Sequence, residues 1–131
     1  MRDQERAARA AIQVAGAKEQ LGDKAKKFSA KAHALPIWIR VNGLLQAVAF
    51  LESKSKQVES QLLVGALKEQ LSGAGLVVNH TLSQALAGLD AVAYARYQEE
   101  SVLCAAWLKR FSAALIGEPD VADRGSAGAE E

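Results

Sequence analysis

Few side chains in this sequence are able to make or break a covalent bond, and their spacing argues against their doing so. The two histidines, His33 and His80, are far apart and have no i, i+4 partner of the His-Glu-x-x-His kind that places two imidazoles around one metal ion. His33 lies in a lysine-rich stretch and reads as a surface residue, while His80 reads as part of a helix start. The single Cys104 sits among Val102, Leu103, Ala105 and Ala106, so no internal disulfide can form. It reads as a small buried apolar residue of a protein kept in a reducing cytoplasm. Glu99 and Glu100 are adjacent, and neighbours on a helix point about 100° apart, so they cannot share a proton or a metal and read as a solvated face. Phosphate-cradling and nucleophile-elbow motifs such as Gly-x-Gly-x-x-Gly, Gly-Lys-Ser/Thr and Gly-x-Ser-x-Gly do not occur. The expectation is a protein with no catalytic group, no metal and no cofactor, which acts by binding.

Basic residues carry the remaining chemistry. Net charge is +1, but residues 1–116 hold 15 Lys and Arg against 10 Asp and Glu, whereas residues 117–131 hold Arg124 against Glu118, Asp120, Asp123, Glu130 and Glu131. A body at +5 precedes a segment at −4. Between Lys18 and Arg40 there are six basic residues against Glu19 and Asp23. Point charges of this kind neutralise phosphates without reading bases. Lysines on a helix also serve solubility alone, so charge by itself is a modest hint of a polyanionic partner. The aromatic residues, Trp38, Phe50, Tyr94, Tyr97, Trp107 and Phe111 among them, fall mostly at apolar helical spacing and read as core rather than as base-stacking platforms.

The elements that hold these residues are helical, because apolar residues recur at a spacing of three or four and no segment alternates strictly. At 131 residues the chain suits one domain. An all-α fold follows, a compact bundle of five or six helices over 1–116, with 117–131 as a flexible acidic tail that cannot bury enough apolar surface to order itself. The first helix spans 3–21, with Ala7, Ala11, Val14 and Leu21 on one stripe; Gly22 stops it and Asp23 caps the next. A basic helix runs from Lys24 to about Ala34, and the Leu35-Pro36 step predicts a break there. A helix from Ile37 to Leu51, with Ile37, Val41, Leu44, Val48 and Leu51 inward, should be the most buried, interrupted by a turn or kink at Asn42-Gly43. Ser55 to Ser72 forms a further helix with Leu63, Leu67 and Leu71 on one edge. Thr81-Leu82-Ser83-Gln84 has the capping-box pattern and starts a short one. Asp90 caps the last, which runs to about Ile116 with Leu103, Trp107, Phe111 and Leu115 inward. The longest uncharged stretch, Gln70–Leu89, is too polar to span a bilayer, and the charged N-terminal residues do not suit a secretory signal.

Two segments resemble a known family. The first is Leu35-Pro36-Ile37 followed by Asn42-Gly43-Leu44-Leu45-Gln46-Ala47-Val48-Ala49-Phe50-Leu51-Glu52-Ser53-Lys54, and the second is Trp107-Leu108-Lys109-Arg110-Phe111. In this order, after an Arg- and Ala-rich first helix, they resemble the small helical subunit of the type III-B CRISPR RNA-targeting complex, the Cmr complex, over residues 3–115. Leu45 departs from the pattern, where a second glycine is frequent, and should stiffen the turn after Asn42. The resemblance implies a non-catalytic building block of a cytoplasmic ribonucleoprotein for antiviral defence. It implies several copies stacked beside guide-carrying backbone subunits and in contact with the large subunit and with guide and target RNA, with neither a small-molecule substrate nor a membrane. Candidate RNA contacts are Arg40, Lys54, Lys109 and Arg110, supported by Lys24, Lys27 and Lys31. Arg40 and the lysines of the second helix rest on charge alone, whereas Lys54, Lys109 and Arg110 also lie in the family motifs. For those three the alternatives are pairing with acidic neighbours or gripping an adjacent subunit. A helical adaptor that touches protein alone is the competing reading of the whole chain.

Overall fold

The structure is a computed structural model and describes residues 2–119. Among the described residues six α-helices follow one another: α1 Asp3–Leu21, α2 Ala25–Asn42, α3 Leu44–Ser53, α4 Val58–Gly73, α5 Leu82–Ala87 and α6 Ala91–Leu115, with a 3-10 turn at Gly22–Lys24 between the first two. No strand occurs among the described residues. None of the described helices is long and apolar enough to cross a membrane.

Local chemistry sets most of the boundaries. Gly22 (φ 55°) ends α1, its N–H donating to the Lys18 carbonyl. Thr81 Oγ1 accepts from the Gln84 amide at 3.2 Å while the Thr81 amide donates to Gln84 Oε1 at 3.2 Å, the reciprocal capping box expected for α5. Asp90 Oδ1 accepts from the Ala93 amide at 2.8 Å and opens α6. Asp23, by contrast, lies within the 3-10 turn, and α2 starts with no side-chain cap.

α2 corrects the expected break before Pro36, since it runs unbroken through that residue to Asn42. An interior proline loses one ladder bond and crowds the preceding turn, at a cost of about 3 kcal/mol. Packing on both sides of the proline outweighs that. Phe28, Ala32, Leu35 and Ile39 are almost fully buried, and each large apolar side chain so buried contributes about 1.5–3 kcal/mol. The interruption after Asn42 is a turn: Gly43 (φ 87°, ψ 154°) separates α2 from α3. Leu45, where the family motif allows a glycine, is already helical, so the left-handed requirement falls on Gly43 alone.

α2 and α6 form the most extensive pairing, with α1 also laid along α6. Arg6 meets Glu100, and Ala15 and Glu19 share a cleft with Leu115, so α1 and α6 run parallel. Gln13 reaches the Ala66 carbonyl and Gln70 the Arg6 carbonyl, which sets α4 antiparallel to α1. α3 and α5 close one side, where the Glu52 carboxylate accepts from the Ser83 amide (3.1 Å) and hydroxyl (2.5 Å).

Which faces turn inward differs from expectation in three helices. α6 buries Ser101, Val102, Cys104, Ala105, Leu108 and Ser112, whereas Leu103 and Leu115 are exposed and Trp107 and Phe111 only half-buried. Small residues let α1, α2 and α4 approach this long helix closely, and the aromatics flank the contact. Ile37 and Val41, expected inside, are 63% and 74% exposed, while Leu44, Val48 and Leu51 are fully buried. α1 buries Ala10, Val14 and Ala17, leaving Ala7, Ala11 and Leu21 half-buried. α4 does present Leu63, Leu67 and Leu71 to the core.

The acidic tail expected from residue 117 lies mostly outside the described residues. Of its first three residues, Gly117 and Pro119 are packed and Glu118 is exposed: Ser29 Oγ donates to the Gly117 carbonyl at 2.7 Å, and Pro119 is buried.

Candidate nucleic-acid interface

The basic side chains singled out in the sequence fall into separate groups. Lys24 and Lys27, exposed at the start of α2, line an open cleft with Gln20, Leu21, Lys56, Gln57, Val58 and Glu59. Lys56, from the α3–α4 connection, thus joins two lysines some thirty positions earlier in the sequence. Three ammonium groups against the one carboxylate of Glu59, which is itself buried, leave the cleft cationic. Lys31, one turn further on, is 2% exposed, so it is removed from the surface on which it was expected. α2 packs against α1, α4 and α6, and a lysine-rich pattern does not reveal such enclosure.

Arg40 is exposed but lies elsewhere. Thirteen residues beyond Lys27 on the same helix, it is displaced by about 20 Å along the axis and roughly 140° around it. Lys54 packs over the Phe50 ring, its Nζ 5.1 Å from the centroid, and Phe50 meets Trp38 edge-on at 5.8 Å. These rings are half-buried rather than core, and with Asn42, Gln46 and Ala49 they line an open groove between α2 and α3. Arg110 is exposed and stacks on Trp107 at 5.1 Å. Trp107 leans on Phe111 and donates its indole N–H to Asp3 at 2.9 Å, a bond that lowers the pKa of Asp3. Lys109 is half-buried. The second family motif therefore joins α6 to the first turn of α1, and only Arg110 of its two basic residues is freely presented.

One polar cluster was not legible in the sequence. Glu100, read as solvated, turns inward and receives Arg6 through two bonds, Nε to Oε2 at 2.5 Å and Nη2 to Oε1 at 2.9 Å, with both side chains only 12% exposed. The single Cys104 S–H has two acceptors in range, Glu100 Oε2 at 3.3 Å and Gln70 Oε1 at 3.7 Å, with the carboxylate the nearer, while Gln70 Nε2 donates to the Arg6 carbonyl and to Gln13. The Arg6 guanidinium, ahead of the thiol, holds the Glu100 carboxyl below its ordinary range, against the opposing effect of burial. The same carboxylate raises the pKa of Arg6 further, and burial, followed by the Glu100 bond and charge, pushes the Cys104 thiol well up. The i, i+4 spacing of Glu100 and Cys104 was the available signal; an Arg partner 94 positions away was not. A thiolate is the reactive form of cysteine, so Cys104 should resist alkylation in the native protein and react only on unfolding. Time courses of thiol labelling with and without denaturant check this, and fast stoichiometric labelling of folded protein would contradict it.

His33 is half-buried on α2 and His80 is exposed just ahead of Thr81, far from each other in the chain. Among the described residues, no group of three or more His, Cys, Asp or Glu side chains is placed to hold a metal ion. What the surface offers chemically is cations, some backed by aromatic rings, on several faces.

Residues 2–115 match the family model of a CRISPR-associated protein, Cmr5. The chain is similar to the CRISPR system Cmr subunit Cmr5 of Thermus thermophilus, 32% identical over 97 residues that make up 74% of this chain and 82% of that protein. Its fold is similar to the crystal structure of a CRISPR-associated Cmr5 family protein from Thermus thermophilus, with a TM-score of 0.75 at 28% identity, covering 87% of this chain and 99% of that one. With the family match reaching from the first turn of α1 to the end of α6 and the helical bundle shared, this chain belongs to the Cmr5 family of CRISPR-associated proteins.

Proposed function

We propose that this protein is a non-catalytic small subunit of a type III-B CRISPR effector complex. In this reading several copies stack beside the guide-carrying backbone and touch target RNA through phosphates. The supporting observation is the convergence of Lys24, Lys27 and Lys56 on one open cleft in a chain of this family. Arg40, Lys54, Lys109 and Arg110 are further proposed contacts. Their dispersal over different faces suits a subunit that meets RNA and protein neighbours together. Lys31 is withdrawn from the set because its side chain is interior.

The test is salt dependence. For single-stranded RNA, the slope of log K against log salt should fall by about 0.7 for each lysine whose phosphate contact is removed. Lys24→Ala, Lys27→Ala and Lys56→Ala should each show that decrement, and slopes unchanged in all three would end the RNA role of the cleft. One copy has little basic surface, so the free protein should bind weakly and the assembled complex avidly.

A protein-only adaptor is the second reading. It is favoured by the exposed Ile37 and Val41, each one residue along α2 from the groove residues Trp38 and Asn42. Native purification followed by nuclease treatment separates the two: guide RNA that co-purifies supports the first reading, and a particle that stays intact and free of nucleic acid supports the second.

A further inference from the structure

We infer that the groove between α2 and α3 holds one unstacked base of single-stranded RNA, with Lys54 at its rim taking the attached phosphate. The inference deepens the RNA reading and rests on it for the choice of partner. It adds a contact of a different kind, to the face of a base.

Two short rows of side chains build the groove. Trp38 and Asn42, one turn apart on α2, meet Gln46 and Phe50, one turn apart on α3, across the turn at Gly43. Ala47, buried, and Ala49, exposed, add only methyl groups, which leaves about 460 Å³ open among the rings and carboxamides. That volume lies within the range of small-ligand sites, roughly 300–1,000 Å³.

Three properties of the lining match a nucleotide. First, its apolar walls are rings. Trp38 and Phe50 meet edge-on at 5.8 Å and 77°, so a planar ligand stacked on one is bordered by the other, and bases of any identity stack on such surfaces. Second, its polar groups are unengaged. The Asn42 and Gln46 carboxamides and the Trp38 indole N–H make no hydrogen bond among the described residues, whereas the Trp107 indole N–H is taken by Asp3. A carboxamide sets a donor beside an acceptor, the pattern that pairs with a base edge. Third, the charge is right for a phosphate. No carboxylate lines the groove among the described residues, and Lys54 Nζ, 5.1 Å from the Phe50 centroid, makes no ion pair among them. A nucleotide supplies a ring, a hydrogen-bonding edge and an anion together. Helical spacing alone assigned both rings to the core, and their half-exposure beside a cation is what gives them a stacking role.

The test uses the full chain. Its two tryptophans give two indole N–H signals in an NMR spectrum, assigned with Trp38→Phe. Single-stranded oligoadenylate should shift the Trp38 signal and leave that of Trp107 in place, while an abasic strand of equal length, which keeps the phosphates, should leave both. Trp38→Ala should weaken oligoadenylate binding at least about five-fold, by the same factor at low and high salt. Lys54→Ala should instead lower the salt slope by about 0.7. Should Trp38→Ala disturb the packing, Gln46→Glu probes the groove at an exposed position with a side chain of similar size, and its carboxylate should weaken binding several-fold at low salt. Adenosine monophosphate, added alone, should bind far more weakly than the strand; equal or tighter binding would make the occupant a free nucleotide and overturn the RNA assignment. A Trp38 signal unmoved at saturation, or moved equally by the abasic strand, overturns the inference. So does a native particle free of nucleic acid in which Trp38 is shielded from acrylamide quenching, because the groove then belongs to protein. Slopes that respond to Lys24, Lys27 and Lys56 while Trp38 stays indifferent keep the RNA reading and remove only the groove. Failure of both strands to bind overturns the two together.

Discussion

Replacing Glu100 with alanine should lower the stability of the fold by about 2–4 kcal/mol, because it strands the largely buried guanidinium of Arg6. Arg6 and Glu100 are each only 12% exposed and share two hydrogen bonds, so neither can recover full hydration when its partner is lost. The upper part of the usual range for a broken buried pair is reduced here, since Asp3 Oδ1 lies 3.3 Å from Arg6 Nη1 and keeps part of the charge compensated. Cys104 and Gln70 lose an anchor as well, because the thiol donates to the same carboxylate. Chemical denaturation of wild type, Glu100→Ala, Arg6→Met and the double variant Arg6→Met/Glu100→Leu checks this. The double variant should be closer to wild type than either single, because an apolar pair of similar volume leaves no uncompensated charge. If the double loses the sum of the singles, the pair does not carry the interaction assigned to it.

The pair also predicts a pH dependence. The folded-state pKa of Glu100 is depressed by Arg6, so the carboxylate contributes stability that is complete above its unfolded value near 4.3 and disappears as pH falls through the lower folded value. Wild-type stability should therefore be flat, as far as this group is concerned, from neutrality down to about pH 5 and fall below it, and the fall should be shallower in Arg6→Met. A parallel acid limb in both proteins would show that other carboxylates dominate.

Glu100 also illustrates what a single sequence conceals. Residues whose role is local were legible: Thr81 with Gln84, Asp90, Gly22 and Gly43 each act on backbone within a few positions, and each does what its chemistry dictates. The Leu63, Leu67 and Leu71 edge was legible too, because α4 offers one clear apolar stripe. Features that depend on how many neighbours a helix has were not. Glu100 faces inward because α1 lies parallel to α6 and brings Arg6 to it, and Lys31 is interior because α2 is enclosed. α6 carries two competing stripes, one aromatic and one of small residues, and periodicity cannot rank them; close approach by three helices selects the small one. Pro36 shows the same limit, since a local penalty of about 3 kcal/mol gives way to burial distributed along both halves of α2. For the candidate site, charge identified Lys24 and Lys27, but Lys56 joined them only through the fold.

The turn at Gly43 carries the second large expected effect. Gly43→Ala should cost about 2–3 kcal/mol, since φ 87° with ψ 154° is a backbone region that side-chain-bearing residues enter only with strain of about 1–3 kcal/mol. An added Cβ would also lie 3.4 Å from the Tyr94 hydroxyl and 3.7 Å from Gln98 Oε1. Those two groups have a task there. α3 begins without a side-chain cap of its own, and its first amides are satisfied from α6 instead, Leu44 N–H by Gln98 Oε1 at 3.0 Å and Leu45 N–H by Tyr94 Oη at 2.9 Å. An alanine methyl would meet both groups at ordinary van der Waals distance, so the capping bonds survive and the cost is that of the backbone. Tyr94→Phe alone should cost about 1 kcal/mol, one neutral hydrogen bond. The turn also sets the angle between the two helices that form the Trp38–Phe50 groove and place Lys54, so in assembled particles Gly43→Ala should weaken subunit retention beyond its effect on folding. A Gly43→Ala protein within about 0.5 kcal/mol of wild type, the usual scatter for an inconsequential surface change, would show that the glycine is not required by the turn.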